Sequence, residues 1–121
     1  MEGIYKISIR VLRDTHIELI SIVDTEYMNK FLSMELNIYF GNMFNKYGEF
    51  ITTINNVVLL STNKEDINVV RKLGLESTLD IFKMSVVDFH YDLYDIEHNY
   101  NDTVYTIIDK LIKKDKADDN G

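Results

Sequence analysis

Residues 4 to 23 read Ile4-Tyr5-Lys6-Ile7-Ser8-Ile9-Arg10-Val11-Leu12-Arg13-Asp14-Thr15-His16-Ile17-Glu18-Leu19-Ile20-Ser21-Ile22-Val23. Tyr5, Ile7, Ile9 and Val11 alternate with Lys6, Ser8 and Arg10, the period of two that a strand with one buried face imposes. Arg13-Asp14-Thr15 suits a turn, and Ile17 to Val23 is rich in β-branched residues, so the pattern predicts a return strand beside the first. An N-terminal antiparallel hairpin is the anchor from which the rest of the chain is read.

Downstream, Asp24 or Thr25 suits a helix start. Met28, Leu32, Leu36, Tyr39 and Met43 then recur every three to four residues, which predicts a helix ending by Gly48. Gly41 weakens its last turn, at a cost of about 1 kcal/mol relative to alanine. Glu49 to Ile54 and Val57 to Ser61 are apolar, β-branched runs flanking Asn55-Asn56, a pair that tolerates the positive φ of a tight turn, and a second hairpin is expected there. Thr62 with Glu65 reads as a capping box, Ile67, Val70 and Leu73 share one helical face, and Gly74 before Leu75 suits a left-handed stop.

Residues 77 to 97 satisfy two periods at once. Val87, Phe89, Tyr91 and Leu93 alternate as in a strand, while Leu79, Phe82, Val86, Phe89, Leu93 and Ile96 follow helical spacing behind a Ser77-x-x-Asp80 cap. Enrichment in Val, Ile, Phe and Tyr favours the extended form, placing a possible extra strand within 81–95. Asp102 then caps a last helix whose Val104, Ile107, Ile108 and Leu111 face the core, and residues from about 115 to 121 are expected to fray. The expected fold is α+β: an antiparallel sheet from two N-terminal hairpins, with two to three helices packed on one face.

The 121 residues contain no proline and five glycines, with no linker or repeat, so a single domain over 1–121 is expected. A hydrophobic fraction of 45% supplies an ordinary core. With no cysteine in the chain, disulfides, thiolate zinc sites and a cysteine nucleophile are excluded. The same absence, with an acid at Glu2 where an export signal carries bases, points to the cytoplasm. Abundant Ile, Asn and Lys suggest an AT-rich genome, in which case a phage or virus origin makes this the host cytoplasm. The longest uncharged stretch, Phe50 to Asn63, is too short to cross a hydrocarbon layer of roughly 30 Å.

Charge narrows the functional classes further. Twenty acids against thirteen bases give a net charge of −7, which repels phosphates and anionic lipid. The first 75 residues are nearly balanced, whereas residues 76 to 109 hold eight acids against Lys83 alone. Within that window Asp88, His90, Asp92, Asp95, Glu97 and His98 are residue types a divalent metal could use, and a small metal-dependent hydrolase built on Asp88, His90 and Asp92 is one reading. The cluster has no recognised ligand spacing, and such residues more often form a solvated face, so no metal and no cofactor are expected. No GxSxG elbow, GxxxxGK[ST] or GxGxxG is present, and enzymatic or nucleotide-binding function has no local motif to stand on. Lys6, Arg10 and Arg13 beside Tyr5 could meet a single strand of nucleic acid, but edge-strand bases more often discourage strand pairing.

What remains is the acidic window with its tyrosines. Tyrosine supplies rigid contact area, and spaced carboxylates resemble the phosphates that a basic groove normally meets. The expected function is a non-enzymatic binding or inhibitory protein that occupies a basic site on a nucleic-acid-handling protein, as anti-CRISPR proteins of phages and mobile elements do. The expected contact residues are Asp88, Tyr91, Asp92, Tyr94, Asp95, Glu97 and Asp102. Direct nucleic-acid binding and membrane binding are not expected. A structural or oligomerising module is the other alternative, and a homo-oligomer is compatible with it.

Overall fold

The computed structural model describes residues 1–12, 15–43, 49–89, 95–99 and 101–120. The N-terminal hairpin forms as the alternation requires: β1 (Glu2–Leu12) lies antiparallel to β2 (Thr15–Asp24), with Ile7 opposite Leu19 and Ile9 opposite Ile17. Tyr5, Ile7 and Ile9 are buried on one face and Arg10 is exposed on the other. The turn residues Arg13 and Asp14 lie outside the described residues.

α1 (Thr25–Met34) starts where Asp24 Oδ1 accepts the N–H groups of Glu26 and Tyr27 at 3.0 and 3.2 Å, satisfying two donors that a helix start otherwise leaves open. It ends at Glu35, whose φ of 49° is left-handed, so the helix expected to reach Gly48 stops after Met34. The chain continues as β3 (Asn37–Gly41), in which Ile38 and Phe40 are buried and Asn37 and Tyr39 are only partly covered. The 3–4 spacing of Leu36, Tyr39 and Met43 concealed a period of two through Leu36, Ile38 and Phe40, and β-branched and aromatic residues pack best on a pleated surface. Gly41, with φ of 61°, closes the strand in a conformation other residues rarely adopt.

The two runs around Asn55-Asn56 are strands, β4 (Phe50–Thr53) and β5 (Asn56–Ser61), but they do not form the expected second hairpin. β4 pairs with β3, placing Ile51 opposite Tyr39, while β5 pairs with β1, placing Val58 opposite Lys6. Ile54 is buried at the crossing point, so the asparagines carry the chain from one sheet to the other rather than back on itself. The α+β fold therefore has two antiparallel three-stranded sheets, in the orders β2-β1-β5 and β4-β3-β6, where β6 is Ser85–Asp88. β6 falls within 81–95, where the extra strand was expected, and places Val86 opposite Ile38.

α2 (Lys64–Leu73) is bounded much as its sequence predicts, with Asn63 rather than Thr62 as the cap and Gly74 at φ 66° as the stop. Ser77 does not cap a helix. It latches onto the edge of β2, donating its N–H to the Ile20 carbonyl and accepting the Ile20 N–H on its hydroxyl, both at 2.9 Å. Asp80 instead caps a single 3-10 turn, Ile81–Lys83. α3 (Val104–Asn120) starts one residue later than expected, with the Thr103 hydroxyl accepting the Thr106 N–H.

One core joins these parts: Tyr5, Ile7 and Ile9 of the first sheet, Ile38, Phe40 and Val86 of the second, Met28, Phe31 and Met34 of α1, and Val104, Ile107, Ile108 and Leu111 of α3. Lys30 of α1 pairs with Asp115 of α3 at its margin. Ile4 and Ile67 are buried outside that cluster. Since Ile4 points to the opposite face of β1 from Tyr5, α2 covers the other side of the first sheet, apart from α1 and α3. Among the described residues, no helix is long and apolar enough to cross a membrane.

The facing of β1 yields a direct check. Ile9→Val should cost about 0.5 to 1.5 kcal/mol, and Lys6→Ala, which removes no buried apolar group, should be nearly silent. Denaturant midpoints with Lys6→Ala as damaging as Ile9→Val would mean that the two faces are exchanged.

Candidate functional site

Of the residues expected to meet a partner, Tyr91, Asp92 and Tyr94 lie outside the described residues, as do His90 and Tyr100. Asp88 is exposed at the end of β6, opposite Asn37 of β3. Asp95 is exposed with a left-handed φ of 52°, and Glu97 is exposed while its backbone carbonyl accepts Lys110 Nζ at 2.9 Å. His98 is half-buried, its Nε2 3.0 Å from the Val86 carbonyl and its ring edge-on to Phe89 at 5.3 Å. That contact holds the segment after Asp95 against β6, so Asp88 and Glu97 border the same end of the second sheet.

Asp102 belongs to the interior. It is only 7% exposed, accepts the Asn99 N–H at 2.7 Å and pairs with Lys110 at 2.9 Å. Burial pushes its carboxyl up, but the Asn99 N–H, the Lys110 ammonium and His98 outweigh that and hold it below the usual aspartate value. It is a strut for the 97–102 loop and presents no charge to a partner.

The structure divides the remaining acids into two groups. Besides Asp88, Asp95 and Glu97, a second set surrounds a cleft of about 470 Å³ where the end of β2, the first turn of α1, the loop 76–83 and the start of α3 meet. Asp24, Glu76 and Asp80 line it with Tyr27, Phe82 and Tyr105, and among the described residues Lys83 is its one basic residue. The Tyr105 hydroxyl donates to Asp80 Oδ2 at 3.3 Å. The Tyr27 hydroxyl is buried with no hydrogen-bond partner among the described residues, and burial, reinforced by Asp109, Tyr105 and Asp80, drives its pKa far upward. Tyr105 shifts the same way, first by burial and then by Asp80. Both phenols stay neutral at any physiological pH.

Sequence reading missed this cleft because its walls come from four separate segments, and Asp24 signalled only a helix cap. Among the described residues, no three His, Asp or Glu side chains converge to hold a metal ion. What both acidic groups offer is negative potential toward a cation or a basic surface. The chain matches no family model, no curated protein and no solved structure with which it was compared.

Proposed function

We propose that the chain is a non-enzymatic binding protein whose acidic surface occupies a basic site on a nucleic-acid-handling protein, the working mode of anti-CRISPR-like antagonists carried by phages and mobile elements. One observation carries the reading. Glu76, Asp88, Asp95, Glu97 and Asp109 are all exposed, and among the described residues none is neutralised by an ion pair. Among the described residues the four ion pairs take up Glu2, Asp24, Asp102 and Asp115; the unpaired acids of residues 1 to 75 lie among eight bases, whereas those of residues 76 to 109 share their window with Lys83 alone. Unpaired charge of one sign accelerates association with a surface of the opposite sign and weakens as salt screens it.

The test is charge reversal on a partner isolated from the host. Changing Asp88, Asp95 and Glu97 to Lys should weaken binding about tenfold or more at low salt, mainly through slower association. Changing Glu18, Glu35 and Glu65 to Lys alters net charge equally and should have little effect, because these lie where the chain is close to balance. Added chain should also displace nucleic acid from the partner. Equal losses in both triple variants, or binding indifferent to salt, would remove the acidic face as the recognition surface.

A further inference from the structure

We propose that the outer face of the second sheet is where the partner docks, and that the cleft at its centre receives an arginine side chain from the partner's basic surface. The inference rests on the reading that the chain binds a basic protein, and it adds which face binds and which side chain is taken. Ile38, Phe40 and Val86 turn one face of this sheet to the core, so Tyr39 and its cross-strand neighbours Ile51 and Ser85 turn to the other. α2 covers the outer face of the first sheet, but none of the described helices covers this one, where Ile51 and Val87 are each 47% exposed.

This face has the layout of a protein interface, apolar at the centre and polar at the rim. Tyr39, Ile51 and Val87 line a cleft of about 420 Å³ together with Glu49, Ser85 and His98. That is toward the small end for ligand clefts, roughly 300 to 1,000 Å³, and gives room for one long side chain. Three exposed carboxylates stand around it: Glu49 in its wall, Asp88 next to Val87, and Glu97 next to His98. Among the described residues none of the three forms an ion pair, and no Lys or Arg lines the cleft. The Tyr39 hydroxyl donates to Glu49 Oε1 at 2.9 Å, which fixes that carboxylate at the cleft wall before a partner arrives.

Charge and shape together select the occupant. A neutral apolar side chain would fill the centre but leave the carboxylates without a counter-charge as the interface excludes water. A bare small cation would answer the carboxylates but leave Ile51 and Val87 wet. Arginine does both, because its methylene stem packs on apolar surface while its guanidinium fork, weakly hydrated for a cation, meets carboxylates with two hydrogen bonds. It is also a residue type that basic nucleic-acid sites present to phosphates, and one of those in which interface energy concentrates. The cleft at Tyr27 and Tyr105 is the poorer receiver for a cation, because Lys83 lines it and the Asp80 carboxylate already accepts from Tyr105.

The test titrates the isotope-labelled full chain with short blocked peptides of alternating glycine and arginine. Amide resonance shifts should saturate and gather at residues 49–51, 85–88 and 97–98. The same peptide with neutral citrulline for arginine should shift none of them, and the lysine version should bind about threefold more weakly. Ile51→Ala/Val87→Ala, which removes apolar surface at constant charge, should weaken binding of the arginine peptide about fivefold with an unchanged circular dichroism spectrum. Should that pair disturb the spectrum, Glu49→Gln decides: it keeps an acceptor for Tyr39, removes one exposed charge, and should weaken binding about threefold. No saturable shift, shifts spread evenly over the acids of the chain, equal binding of the citrulline or lysine peptide, or full affinity in the folded double variant or in Glu49→Gln would each overturn the proposal. Changing Asp88, Asp95 and Glu97 to Lys separates this proposal from the reading beneath it. Binding lost in that triple variant but kept in Ile51→Ala/Val87→Ala removes the cleft and retains the acidic surface, whereas binding kept in the triple variant removes the acidic surface itself.

Discussion

Phe82→Ala is expected to cost about 3 to 5 kcal/mol, the range for deleting a fully buried phenylalanine. Its ring is 1% exposed and meets Phe31 edge-on at 5.2 Å, Tyr27 at 5.5 Å and Tyr105 at 5.5 Å. Those three rings come from α1 and α3, so one side chain in a short 3-10 turn ties these two helices together. Aromatic pairs add about 0.5 to 1.5 kcal/mol beyond area burial, which places the loss toward the upper end. Urea melts should show a lower midpoint with an unchanged slope, while Val87→Ala, at an exposed position, should stay within about 0.5 kcal/mol of the parent. Equal midpoints for the two variants would mean that the rings pack without Phe82.

Asp102→Ala should be the most damaging change to a polar side chain, at about 1.5 to 3 kcal/mol, because it removes hydrogen bonds to a charged group and leaves the Asn99 N–H and the Lys110 ammonium without their acceptor. Lys110 is about one-third exposed and regains water, which keeps the loss below that of a fully buried pair. The same carboxylate makes stability depend on pH. Its pKa is lower in the folded state than in the unfolded chain, so its contribution is fully present above the unfolded value, near ~3.9, and is lost as pH falls through the folded value. Between about pH 5 and pH 3 the parent should therefore lose more stability than Asp102→Asn, whose side chain does not titrate. Parallel slopes for the two proteins would show that this aspartate is not depressed.

The parts of the fold legible in the sequence are those in which one local signal has no rival. Ile4 to Val11 had a single period, and α2 had both its cap and its Gly74 stop, so each forms within a residue or two of its expected bounds. Leu36 to Phe40 had two periods, and the one that wins is set by tertiary pairing with β4 and β6, which no local window contains. Asn55-Asn56 was legible as a turn but not as a crossing between sheets, since the choice depends on whether β1 or β4 offers the better partner to β5. For the site, charge density located exposed Asp88, Asp95 and Glu97. It could not distinguish them from Asp102, an acid in the same window whose partner Lys110 stands two turns along α3. The cleft at Tyr27 and Tyr105 was illegible because it exists only once four distant segments have met.

The arrangement of the two sheets also sets an order of assembly. Each central strand has one partner nearby in the chain and one far away: Ile7 pairs with Leu19 and with Val57, and Ile38 pairs with Thr52 and with Val86. The near pairs close short loops, and hairpins form in about 1 to 10 µs, whereas the far pairs must first overcome the entropy of closing long loops. Two hairpins, β1-β2 and β3-β4, therefore stand ready before either sheet is complete. On the ribosome the second sheet has to wait for β6, and until then the open side of β3 is an unpaired edge in a growing chain. Refolding should accordingly be slow for a domain of this size, and crowding should harm it most in that interval.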